Sequence, residues 1–203
     1  MSSRLLDSGD LEAFQREIEA SGAPIRQHLL AGATRQELEL AERQFGSQLP
    51  DELRTWFQWH SGIAPAEWPP EHELGPVYLL ALEAAARGVS ERRAIALQAA
   101  EGDEREADMH WWTTWMPIAK VAGLDVALDL QGSASDPVPV YYVDWQYYEQ
   151  PYAPNCASLQ ELVQLWTEAL HQGIWTWDAE QRVWRIGDAS SFGPEKYMLV
   201  AGT

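Results

Sequence analysis

The stretch Gly32-Ala-Thr-Arg-Gln-Glu-Leu-Glu-Leu-Ala-Glu-Arg-Gln-Phe-Gly-Ser-Gln-Leu-Pro-Asp-Glu-Leu-Arg-Thr-Trp-Phe-Gln-Trp-His-Ser-Gly62 reads as two short helices. Leu49-Pro50 joins them and Ser61-Gly62 closes the second. Thr34 is placed to cap the first helix, and Glu37 three residues later completes a capping box. Leu38, Ala41 and Phe45 form one apolar stripe, and Gly46 marks the helix end. Pro50 suits a first helical turn, where its missing N–H costs nothing. Leu53, Trp56 and Phe57 form the second stripe. None of these side chains is reactive, so the stretch announces a scaffold and not a catalyst.

Working outward, residues 10–20 predict a helix with Leu11, Phe14 and Ile18 on one face, broken at Ala23-Pro24. Residues 25–31 add a short turn. Past Gly62 the chain is punctuated by Pro65, Pro69, Pro70 and Pro76 and reads as loop. Val77 to Leu80 predicts a strand. Leu82 to about Ala100 is rich in helix formers, with Gly88 expected to divide it. The charge run Glu101 to Asp108 reads as an exposed loop.

Strands follow at 116–121, at 124–130 with strict apolar alternation, and at 138–145. Short connections between them predict an antiparallel meander. Ser158 caps a helix, with Glu161 three residues later as its expected box partner; Leu159, Leu162, Val163, Trp166 and Leu170 share a face, and Gly173 stops it. Residues 174–178 and 182–186 read as a hairpin, and Lys196 to Val200 as a last strand.

These motifs, in this order, resemble the SUKH superfamily, which holds the Smi/Knr-type cell-wall assembly regulator domain and many bacterial immunity proteins. Trp115-Met-Pro-Ile118 is similar to its Trp-x-Pro-Ile strand. Gly123 to Asp129 and Pro139-Val-Tyr141 resemble the two strands after it, and Ser158-Leu159 its closing helix. The resemblance covers residues 30–173, matches poorly from Trp68 to His110, and leaves 174–203 as a C-terminal hairpin extension. It implies one α+β domain over residues 1–203, with N-terminal helices and a long C-terminal-half helix packed on a central, mainly antiparallel sheet. It also implies protein binding without catalysis.

The chain has 203 residues, 46% of them apolar and 22% charged, which suits a globular core. Its 31 acidic residues against 14 basic ones give a net charge of −17. A field of that sign repels nucleic acid and anionic lipid and speeds encounter with basic partners, although it also serves solubility alone. No apolar run has the length of a membrane span, and Met1 to Asp10 lacks the apolar core of a signal peptide. A single cysteine, Cys156, excludes an internal disulfide framework. The expectation is a cytoplasmic protein.

Reactive constellations are sparse. No phosphate loop and no Gly-x-Ser-x-Gly elbow occurs. Glu71-His72-Glu73 starts like a zinc-protease motif, but Pro76 stands where the second His belongs. Asp108 and His110 form another ligand pair without further partners, so no metal and no cofactor is expected. Cys156 precedes a helix N-terminus, where a thiol pKa can fall, yet a plain structural cysteine is the favoured reading. Asp125 and Asp129 share one strand face, available for acid/base work or simply solvated.

Eleven tryptophans stand out. Trp56, Trp166 and Trp184 fall on stripes and read as core. Trp111, Trp112, Trp145, Trp175 and Trp177 are candidates for the surface, and the run Tyr141, Tyr142, Trp145, Tyr147, Tyr148, Tyr152 divides between packing and binding. The functional expectation is an immunity protein that neutralises a basic toxin domain, itself aimed at nucleic acid. Its contact candidates are Asp103, Glu104, Glu106, Asp108, Trp111, Trp112, Asp144, Trp145 and Glu149, chosen from acidic and aromatic clustering. A regulatory scaffold of the cell-wall type, and an enzyme or small-molecule binder built around Asp125, Asp129, Asp144 and a neighbouring His, are the alternatives.

Overall fold

The structure, a computed structural model, describes residues 4–64, 73–144 and 153–201. It is α+β. Helix α1 spans Ser8–Ala20, followed by a 3-10 turn at Pro24–Gln27. Helices α2 (Arg35–Phe45) and α3 (Asp51–Trp59) are the pair expected from the opening stretch. Then come β1 (Val77–Leu79), α4 (Leu82–Ala99), α5 (Glu104–His110), β2 (Trp115–Val121), β3 (Leu124–Asp129) and β4 (Val140–Val143). Helix α6 (Leu159–His171), the hairpin strands β5 (Trp175–Asp178) and β6 (Val183–Ile186), and helix α7 (Pro194–Ala201) complete the chain.

Strands β1 to β4 lie side by side in chain order, every neighbour antiparallel, and β5 and β6 form a separate two-stranded sheet. The meander is what short connections between consecutive strands permit.

The caps predicted for α2 hold, while Pro50 stands just before the first turn of α3 instead of within it. The Thr34 hydroxyl accepts from the Glu37 N–H, the Glu37 carboxylate accepts from the Thr34 N–H, and Gly46 ends α2 at φ 88°. Ser158 caps α6 by accepting from the Glu161 N–H at 3.0 Å. Glu161 does not close the expected box with Ser158: its carboxylate reaches past the cap to accept from the Ala157 N–H at 2.7 Å.

One face of the sheet presents Met116, Ala119, Val121, Val126, Leu128, Val140 and Tyr142 to the main core, which α1, α3 and α6 close with Phe14, Trp56, Phe57 and Trp166. The other face presents Trp115, Ala127, Tyr141 and Val143 to a second apolar cluster, closed by Ala96 and Ala100 of α4, Ala107 of α5 and Trp111. A shift of register between Pro117 and Ala119 inserts Ile118 as a bulge in β2, so residues on both sides of it keep their faces.

Four readings of the sequence are corrected. The charge run is no loop: Asp103 accepts from the Arg105 and Glu106 N–H groups, capping α5, and Ala107 and His110 are buried three residues apart. Gly88 does not divide α4. It is buried, and a Cβ there would stand 2.9 Å from the Pro117 ring, so the missing side chain lets the helix lie close on β2. Lys196 to Val200 is helical, because Pro194 starts a turn and Leu199 and Val200 pack inward. A five-residue apolar run reads equally as strand or buried helix, which is where periodicity loses its power. Asp125 and Asp129 are 4% and 7% exposed, since α4 and α5 cover the face on which they were expected to meet solvent.

Candidate binding surface

Helix α5, with its cap, brings together four of the six acidic members of the predicted contact set, Asp103, Glu104, Glu106 and Asp108. Its seven residues are too few to hold a helix alone. Arg93, reaching from α4, supplies the clamp. Its guanidinium donates to the Trp111 carbonyl oxygen at 2.8 Å, pairs with Asp108 at 2.8 Å, and also holds Glu104. Asp103 is the helix cap. Glu106 makes no ion pair among the described residues and faces solvent. The side chains of Glu104 and Asp108 stay 71% and 52% exposed despite their common partner, so the helix keeps a negative outer face.

The aromatic part of the set turns inward. Trp111 is fully buried and leaves the list of contacts: Arg92 stacks 5.6 Å over its ring, and Trp115 meets it edge-on at 5.6 Å. Arg92 in turn makes a two-pronged bond to Asp125. Asp129 accepts from the Thr114 hydroxyl at 2.7 Å and the Gln131 N–H at 3.1 Å. Trp112 is half-buried, 5.4 Å from the Trp115 ring. Asp144 is half-buried just past β4, where its charge adds to the desolvation that raises the Tyr142 hydroxyl to about 12. Trp145 and Glu149 lie outside the described residues, as do Tyr147, Tyr148 and Tyr152. Tyr141 and Tyr142 are both buried, on opposite faces of the sheet. Trp175 is buried as well, its indole N–H donating to the Val200 carbonyl at 2.6 Å. Trp177 stays half-exposed against Trp184.

Cys156 is 2% exposed, and burial pushes its thiol up to about 12, with Glu161 adding to the rise and Lys196 opposing it. A thiol held protonated is a poor nucleophile. Among the described residues no group of three or more His, Cys, Asp or Glu side chains could hold a metal ion, and no helix is long and apolar enough to cross a membrane.

Two of the clefts among the described residues lie between packed helices. One, about 630 Å³, lies between α1, α6 and α7, with Asp10, Glu161, Glu168 and Lys196 among its lining. Asp10 is paired with Arg4, and Glu161 with Lys196. The other, about 480 Å³, lies between α2 and the start of α4. Leu30, Ala41, Leu82 and Ala84 line it, together with Leu40, a 50% exposed leucine. Sequence reasoning missed this second cleft. Leu40 alone carried a signal, as an apolar residue off the buried stripe of α2.

The profile of the SMI1 / KNR4 family (SUKH-1) matches residues 32–163. The chain belongs to the SMI1 / KNR4 family. The SMI1 / KNR4 match runs from the start of the opening stretch into α6 and takes in the whole four-stranded sheet, together with α4 and α5. Helix α1, the β5–β6 hairpin and α7 lie outside it, and α1 and α7 both pack on α6. No individual curated protein matches the chain.

Proposed function

We propose that this SMI1 / KNR4 protein is a non-catalytic binding domain of the immunity type, which neutralises a basic toxin domain. The observation that carries the reading is the disposition of charge. At least nine of the fourteen basic residues are consumed in internal ion pairs: Arg4, Arg26, Arg35, Arg54, Arg87, Arg92, Arg93, Arg185 and Lys196. The excess negative charge is therefore spread over the surface with little free positive charge beside it. A toxin acting on nucleic acid carries a cationic cleft, and carboxylates can occupy its phosphate sites. Long-range attraction raises the rate of encounter.

The absence of catalysis is supported by how the buried carboxylates are used. Glu52, Asp125 and Asp129 each bond to fixed donors of the fold, which leaves them structural work. The test is co-expression with the small C-terminal domain of a secreted protein encoded beside this gene. Protection of the host, with a complex that weakens as salt rises, is the expected result. Unchanged toxicity and no complex with pure protein would end the reading.

A further inference from the structure

The cleft between α2 and α4 has the composition of a docking site. Leu30, Ala41, Leu82 and Ala84 give it a mainly apolar lining, interrupted by Gln44 and Ser61, and Leu40 is half-exposed in the same lining. Glu37 and Glu83 line the same cleft, beside Arg87. That one cation is shared between Glu83 and Glu91, at 3.1 Å from each. Carboxylates thus outnumber guanidinium groups at the rim. The bond from the Thr34 N–H holds the Glu37 carboxyl below its ordinary value, so it stays charged through neutral pH.

We propose that this cleft receives a basic segment of a partner protein, which inserts one apolar side chain over Leu82 and Ala84 and sets Lys or Arg against Glu37 and Glu83. The inference rests on the protein-binding reading above and gives it a place. Complementary charge selects the occupant, since a negative rim around an apolar floor matches a cationic segment with an apolar anchor. A second copy of this chain is disfavoured, because two molecules of charge −17 repel. Seating an apolar anchor here covers Leu40, which the fold otherwise leaves in water.

The test is a titration of isotope-labelled protein with an amphipathic helical peptide of Leu and Lys, against a matched peptide of Leu and Glu. The expected result is saturable shifts at Leu30, Leu40, Ala41, Leu82 and Ala84 with the Lys peptide alone. Leu40→Lys and Ala84→Phe weaken that binding about tenfold or more, while the thermal midpoint of L40K stays at the wild-type value. Shifts confined to other residues, equal binding of the Glu peptide, or wild-type affinity in L40K would each overturn the inference. So would shifts of the same residues with protein concentration alone, which would make the occupant a second copy. Full protection against the toxin by L40K would move docking off the cleft and leave the immunity reading standing. That reading fails separately, if wild-type protein does not bind the toxin at all.

Discussion

Glu52 is a carboxylate that one residue of separation hides. It follows Asp51, and together they look like the acidic first turn of α3. Asp51 is exposed, whereas Glu52 is 1% exposed. Its two oxygens accept from the N–H groups of Leu6 at 2.9 Å, Val138 at 2.8 Å and Gln160 at 3.2 Å. One side chain therefore ties the N-terminal segment, the approach to β4 and the first turn of α6. Glu52→Ala leaves three buried donors unsatisfied and is expected to cost about 3 kcal/mol or more in urea unfolding, with Glu52→Gln costing less because one acceptor survives. A loss under about 1 kcal/mol in E52A would contradict this role. Gly88→Val brings a branched side chain against Pro117 and is expected to cost about 2 kcal/mol, read by the same method. Cys156 gives a pH signature. Its native pKa is raised to about 12 from an ordinary 9.0, so above pH 9 the unfolded chain has lost a proton that the folded chain keeps. Stability is then level below pH 9 and falls as pH rises toward 12, and Tyr142, raised from 10.0 to about 12, adds in the same direction over the upper part of that window. Cys156→Ala should flatten the fall just above pH 9; an unchanged slope there would contradict the burial argument.

Elements were legible wherever local chemistry and burial agree. The boundaries of α2 and α6 follow from Thr34, Gly46 and Ser158 because each satisfies a helix-end backbone group by itself, whereas Pro50 marks the start of α3 by its fixed φ alone. The alternation of Leu124, Val126 and Leu128 correctly marks one face of β3, yet it says nothing of what covers the other face. That cover comes from α4 and α5, more than a dozen residues earlier in the chain. It buries Trp111, which leaves the predicted contact set for the core, and Asp125 and Asp129, which were expected to meet solvent. Helix α5 was hidden for the same reason: a run of charges looks solvated until Ala107 and His110 find the second cluster. The helix depends on Asp103 and Arg93. Asp103→Ala is expected to cost about 1 kcal/mol as a lost cap. Arg93→Ala should speed amide exchange throughout 104–111 while α6 stays protected. Uniform exchange across α5 and α6 in that variant would show that α5 does not open separately.

At the scale of the molecule, a scaffold carries both ends of the argument. The sheet, with helices on both faces, immobilises the buried polar groups. The acidic residues left over face water. Membership in the SMI1 / KNR4 family was readable from motif order, because each motif marks a turn, cap or strand of the shared scaffold. The cleft proposed for docking was not readable, because it joins α2 to α4 across the fold and its floor, with Ala41 and Leu82, carries the same apolar pattern as the core. The central claim is that negative charge draws in a basic protein partner. The most direct measurement is the rate of association between this protein and the toxin domain proposed as its partner, followed from low to high salt. The account predicts a fast rate that drops steeply as salt rises, with dissociation changing little. An association rate indifferent to salt would contradict it.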